Sequence, residues 1–166
     1  MTPHRTALEN PVKLICLASA LAFALLLVPS LAPAEDAPAS AITRGNGEKN
    51  WILVDGVTRA GRTFTFKEVH LEAGGWLVLH PFEDGKPRGE IYVGARYLPA
   101  GTHANVTVDV QTAPEPATGT PFIAMLHSDT DDDQTFDFVF VDGGPHVEDK
   151  ALIEGTTMVA HEIQAP

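Results

Sequence analysis

FIAMLHSDTDDDQTFDFVF, residues 122–140, is the stretch whose reading decides the fold. An apolar run leads into a histidine, a dense acidic turn follows, and a second apolar run resumes. No 3.6-residue spacing runs through it, so the expected order is strand, oxygen-rich loop, strand. Pro121–His127 is apolar on both faces, as a central strand is, and Phe136–Val141 is expected to pair back across the turn. Within the turn, Asp129, Asp131 and Asp133 alternate and Asp137 follows four residues later. A hard cation such as Ca²⁺ takes six to eight oxygens at a flexible radius, and alternating carboxylates converge on one point. Asp132 then faces outward as a spare charge. The pattern opens like an EF-hand loop and departs from it: Gln134 stands where the sharp turn wants glycine, Phe140 stands where a bidentate Glu belongs, and no helices flank it. What stays is a candidate calcium loop between two strands, at Asp129, Asp131, Asp133 and Asp137, set against the plainer reading of a solvated acidic turn.

Outward from this centre, β-rich runs recur about every ten residues between Gly, Pro and Asp clusters, the spacing of an all-β sandwich. His103–Val110 alternates, with Val106, Val108 and Val110 facing in. Gly75–Phe82 is a second central strand, with Trp76, Val78 and His80 on one face and Leu77 and Leu79 on the other. EDGKPRG, residues 83–89, signals a hairpin. Thr63–Leu71 carries Phe64 and Phe66 in one phase and Val69 and Leu71 in the other, which predicts a bulge near Glu68. Trp51–Val57 opens the domain, Glu90–Val93 is a short strand, Gly94–Gly101 is irregular, and Gln111–Thr120 is a Pro-rich loop. Asp142–Gly155 is a Gly- and acid-rich connection, and Thr156–Ile163 closes the sheet. The expected fold is an immunoglobulin-like β-sandwich of about seven or eight strands over residues 51–164.

The first 34 residues read as an address. Arg5 and Lys13 precede the apolar run Leu14–Val28, and Ala32-Pro33-Ala34 offers a small-residue cleavage site. That is the order of a secretory signal peptide, a helix in its apolar part. The run falls short of the roughly 20 residues of a membrane span, so no stable span is expected after cleavage; a retained anchor is the alternative. Residues 35–50 read as a flexible leader. Cys16, the only cysteine, leaves with the signal. The mature chain then forms no disulfide, thiolate metal site or blue-copper centre. Cleavage removes two basic residues and one acidic one, making the formal net charge one unit more negative than −11. Such a surface repels nucleic acid and anionic membranes.

Six histidines follow the signal: His70, His80, His103, His127, His146 and His161. No pair has zinc-motif spacing. His80 and His127 nevertheless close central strands, His103 opens another, and such ends meet in a sandwich. Met125 shares the face of His127, a donor pair suited to copper. The alternative function is therefore a periplasmic Cu or Zn binder using His80, His103 and His127; the plainer reading is histidines capping strand ends. Catalysis finds less support. Ser128 adjoins His127, but strand neighbours point to opposite faces, so a hydrolase reading lacks a nucleophile–base pair. No G-x-S-x-G, H-E-x-x-H or phosphate-cradling loop is present.

Three pieces, GGWLVLHPF at 74–82, YLPAGTHANVTVDV at 97–110 and FIAMLHSDTDDDQTFDF at 122–138, together resemble a family of secreted domains of unknown function found in salt-loving archaea and in bacteria. The resemblance covers roughly Trp51–Ile163 and implies export and a β-rich fold, without an activity. His80, His103, His127, Asp129, Asp131 and Asp133 sit in the family's pattern. Asp132 and Gln134 depart from it, where a calcium-type loop favours glycine. The expected function is an exported, non-catalytic module, periplasmic or extracellular. It would serve binding or envelope structure with a protein or envelope partner, and Ca²⁺ is its one candidate cofactor.

Overall fold

The computed structural model describes residues 41–138 and 149–166. The signal segment 1–34, the start of the leader, Val139–Val141 of the expected last hairpin strand, and residues 142–148 of the 142–155 connection, His146 among them, lie outside the described residues. Among the described residues every regular element is a strand. The strands are β1 Thr43–Gly45, β2 Trp51–Leu53, β3 Thr58–Ala60, β4 Thr63–Leu71, β5 Gly75–Glu83, β6 Lys86–Pro87, β7 Gly94–Leu98, β8 Gly101–Asp109, β9 Pro121–Ser128, β10 Ile153–Glu154 and β11 Thr157–Gln164. They exceed the expected number because β1, β2, β3, β6 and β10 are edge pieces of two or three residues. No helix among the described residues is long and apolar enough to cross a membrane.

One sheet runs β1-β11-β9-β5-β6, with β10 on β11 and β7 on β5; the other runs β2-β4-β3, with β8 along the far edge of β4. Their facing sides share one core. Phe64, Phe66, Val106 and Val108 from the smaller sheet meet Leu77, Leu79, Phe122, Ala124 and Leu126 from the larger. Phe64 meets Phe122 edge-on, with ring centroids 5.4 Å apart. Each large side chain so buried stabilises the fold by about 1.5–3 kcal/mol, which makes this interface the main source of sandwich stability.

β4 changes phase where the alternation of its sequence does. Phe64 and Phe66 are buried, Lys67 is exposed, and Val69 and Leu71 are buried again. The bulge expected there is corrected. Phe66↔Val106 and Glu68↔Ala104 keep the same offset, and only the opposed pair Lys67 and Asn105 drops out of the ladder. Asn105 takes φ +54°, and neither strand gains an extra residue. Asn is among the few non-glycine residues that visit this region routinely. The expected hairpin forms between β5 and β6, with Asp84 at φ +51° and Gly85 at φ +72°, the two positive values of a type I′ turn.

Two expectations fail for one reason. Residues 90–93 are not a strand, and Gly94–Leu98, expected to be irregular, is β7. A central strand needs backbone partners along both edges. β9 supplies one edge of β5, and β7 supplies the other over Gly75–Leu79. The leader is likewise corrected over its last residues. Thr43–Gly45 pairs in parallel with Thr157–Val159 of β11. Behind it the Asn50 side chain accepts from Glu72 N–H and donates to Glu154, whose second oxygen accepts Glu48 and Lys49 N–H.

Candidate functional site

The outer face of the larger sheet holds the chemistry. β5 and β9 pair antiparallel, with Trp76 opposite His127, Val78 opposite Met125 and His80 opposite Ile123. Gly75 starts β5 because the His127 carbonyl passes where a side chain would begin: a Cβ there would lie 2.4 Å from that oxygen. The outward residues are not solvated. Ile123, Met125 and Ala160 form a second cluster with Phe82, Ala151 and Met158. His80 and His127 are 0% and 1% exposed.

The two imidazoles reach toward each other along the sheet, and their Nε2 atoms stand 3.2 Å apart. His80 Nδ1 donates to the Ile91 carbonyl at 2.6 Å, and His127 Nδ1 donates to the Asp149 carbonyl at 2.9 Å. A carbonyl only accepts, so each Nδ1 carries the proton and each Nε2 presents a lone pair. Burial lowers the pKa of His80 and, with His80 alongside, pushes His127 down to about 4, so both rings are neutral at pH 7. Phe138 meets both rings edge-on, and Phe136 packs between His127, Trp76 and Tyr92. Residues 136–138, expected as strand, are irregular and bring these rings over the pair. The expected meeting of His80 and His127 occurs, but on a sheet face and not at a sandwich end. His103 does not join them. It lies on β8 in the other sheet and donates Nε2–H to the Pro99 carbonyl. Ser128 bonds Thr130 and the Lys150 carbonyl.

The acidic turn divides. One group brings carboxylate oxygens of Asp129, Asp131 and Asp149 within 4.8 Å of one another; a more exposed group does the same for Asp131, Asp133 and Asp137. Asp129 is 7% exposed. Its Oδ2 accepts Gln134 N–H, while its Oδ1 is buried with no hydrogen-bond partner among the described residues. Asp149 is fully buried and accepts Thr130 N–H and Asp137 N–H. Burial raises its pKa, the charges of Asp129 and Asp131 add to the rise, and those two N–H groups oppose it. Asp132 and Gln134, the positions where the sequence departs from glycine, both take φ +58°. The turn thus keeps a glycine-type path without glycine.

The match that places the chain covers residues 51–164, against a domain of unknown function, DUF7282. The chain belongs to this family. No curated protein and no solved structure matches it. The DUF7282 span holds both donor groups and begins at Trp51, which leaves β1 and the Asn46–Asn50 turn outside it. Within the DUF7282 domain, hard oxygen donors and neutral imidazoles are joined through one residue. Asp149 turns its carboxylate to the acids and its carbonyl to His127. Sequence reasoning missed Asp149 because it belongs to the Gly- and acid-rich connection, twelve residues beyond the recognisable aspartate pattern.

Proposed function

We propose that this chain is an exported, non-catalytic β-sandwich module that works by binding, in the periplasm, outside the cell or within envelope structure, and that Ca²⁺ sets its acidic loop. The observation that carries the reading is Asp129 Oδ1, a buried carboxylate oxygen without a hydrogen-bond partner among the described residues, beside Asp131 and the fully buried Asp149. A buried charge without a partner is costly, and like charges within 5 Å add to the cost. A cation at their centre reverses both terms. Asp131 belongs to both carboxylate groups, and in this reading Asp133 and Asp137 offer the cation further oxygens of the kind Ca²⁺ takes. Export is supported by the charged start, apolar run and Ala32-Pro33-Ala34 of the N-terminal segment.

Thermal unfolding with EDTA and with Ca²⁺ tests the site. Binding to the folded state alone adds about 2.7 kcal/mol at a hundredfold excess over the dissociation constant. Asp131→Asn is expected to abolish that increment without lowering stability in EDTA, because it also removes a charge from a crowded turn. Identical melts with and without Ca²⁺ would sink the reading. Export is tested by the mass of the secreted product, expected to begin at Glu35; a product retained in the cytoplasm overturns that part.

A further inference from the structure

The histidine pair presents a proton deficit. Three close contacts run through it: Nδ1 to the Ile91 carbonyl, Nδ1 to the Asp149 carbonyl, and Nε2 to Nε2. Each needs one proton to be a hydrogen bond, and neither carbonyl can supply it. Two neutral imidazoles hold two. Both are used at Nδ1, so two lone pairs face each other at 3.2 Å. A third proton would make one ring cationic in a place that buries both rings almost completely. Something else that accepts two nitrogen lone pairs fits the gap. With metal–nitrogen bonds of about 2.0–2.1 Å, this separation closes an angle of about 100°, near tetrahedral. Ligating histidines characteristically donate their other N–H to a backbone carbonyl or carboxylate, as both rings do here.

We infer that His80 and His127 hold one copper(I) ion through their Nε2 atoms, with thioether donation from Met125 and Met158. Two clefts flank the pair, one lined by His80 and the other by His127, and Met125 and Met158 line both. Thioether and imidazole donors select a soft metal. The surroundings favour a low charge: Phe136 and Phe138 meet His127, Trp76 stands opposite it across the strands, and Phe138 also meets His80. Glu90, the one carboxylate among the described residues lining the His127 cleft, is ion-paired with Arg88. A monovalent ion on two neutral rings buries less charge than a divalent one. Cu(I) takes the lone pairs as they stand, so no proton need leave either ring. The donor set shares no side chain with the acidic loop; Asp149, whose carbonyl holds His127 Nδ1–H, connects the two, which is why Ca²⁺ is kept constant in the test.

The test is an anaerobic titration of the full chain with Cu(I) against a chromophoric chelator, in Ca²⁺-containing buffer, with Zn²⁺ titrated in parallel. One equivalent of Cu(I) is expected, bound more tightly than Zn²⁺. His127→Gln should weaken Cu(I) by about a hundredfold. The double variant Met125→Leu/Met158→Leu nearly conserves volume, so it keeps the test alive if His127→Gln fails to fold. It should weaken Cu(I) by about tenfold and leave Zn²⁺ unchanged. X-ray absorption at the copper edge should show nitrogen and sulfur neighbours together. Absence of Cu(I) binding, preference for Zn²⁺, affinity that survives a folded His127→Gln, or a copper shell without sulfur each overturns the inference.

Discussion

On the smaller sheet, Thr63, Thr65, Lys67, Thr107 and Asp109 lie between the inward phenylalanines and valines and stand partly or fully in solvent. The corresponding side of the larger sheet carries Val78, His80, Ile123, Met125 and His127, all buried. The first arrangement is what a sandwich requires and no more: one apolar face inward, one polar face outward. The second is a surface covered again, by Phe136, Phe138 and the segment around Ala151. Burial of the inner face explains the fold. Burial of a second face, with two histidines in it, calls for an explanation from function.

The largest expected effect tests the inner face on which both halves of this contrast depend. Phe122→Ala should cost about 3–5 kcal/mol in urea unfolding, because it empties the contact with Phe64. A cost below 1 kcal/mol would mean that the sheets do not depend on that face. Next comes pH, in metal-free protein. The folded pKa of His127 is about 4, below its ordinary 6.5, so the unfolded chain takes the proton first. Its contribution is full above pH 6.5 and is lost as pH falls toward 4, amounting to about 3 kcal/mol. His80 is shifted in the same direction. The raised Asp149 carboxyl acts in the opposite sense, so the difference between wild type and His127→Gln is the quantity to plot. A flat difference would show that the outer face is wet. A smaller effect lies at the edge: Glu154→Ala should cost about 1 kcal/mol and speed amide exchange at Glu48 and Lys49. Smallest is Thr107→Val on the solvated face, expected within about 0.5 kcal/mol; a larger change would make the two outer faces alike.

What could be read from the chain follows the same division. β4, β5 and β9 stand where alternation and double-sided apolar runs put them, because burial selects side chains directly. β7 begins Gly-Ala-Arg and β1 is Thr-Arg-Gly; neither has strand character of its own, and both exist because a neighbour has an open edge. Met125 and His127 were legible as donors on one strand face, and His80 as a strand-closing histidine that would meet His127, though at a sandwich end and not on a sheet face. Their backbone partners, the carbonyls of Ile91 and Asp149, were not, since a main-chain oxygen leaves no mark on residue type. His103 misled for the complementary reason: it opens a strand as suggestively as the others close theirs, but in the other sheet.

The parallel pairing of Thr43–Gly45 with Thr157–Val159 has a mechanical consequence. These segments belong to the first and last strands of the described domain and run in the same direction. Tension applied at opposite ends of the domain therefore slides one strand along the other and loads all their hydrogen bonds together. An antiparallel pair pulled from its open end would instead be peeled one bond at a time. A domain tethered at its start and drawn from its finish meets that load with its strands in shear.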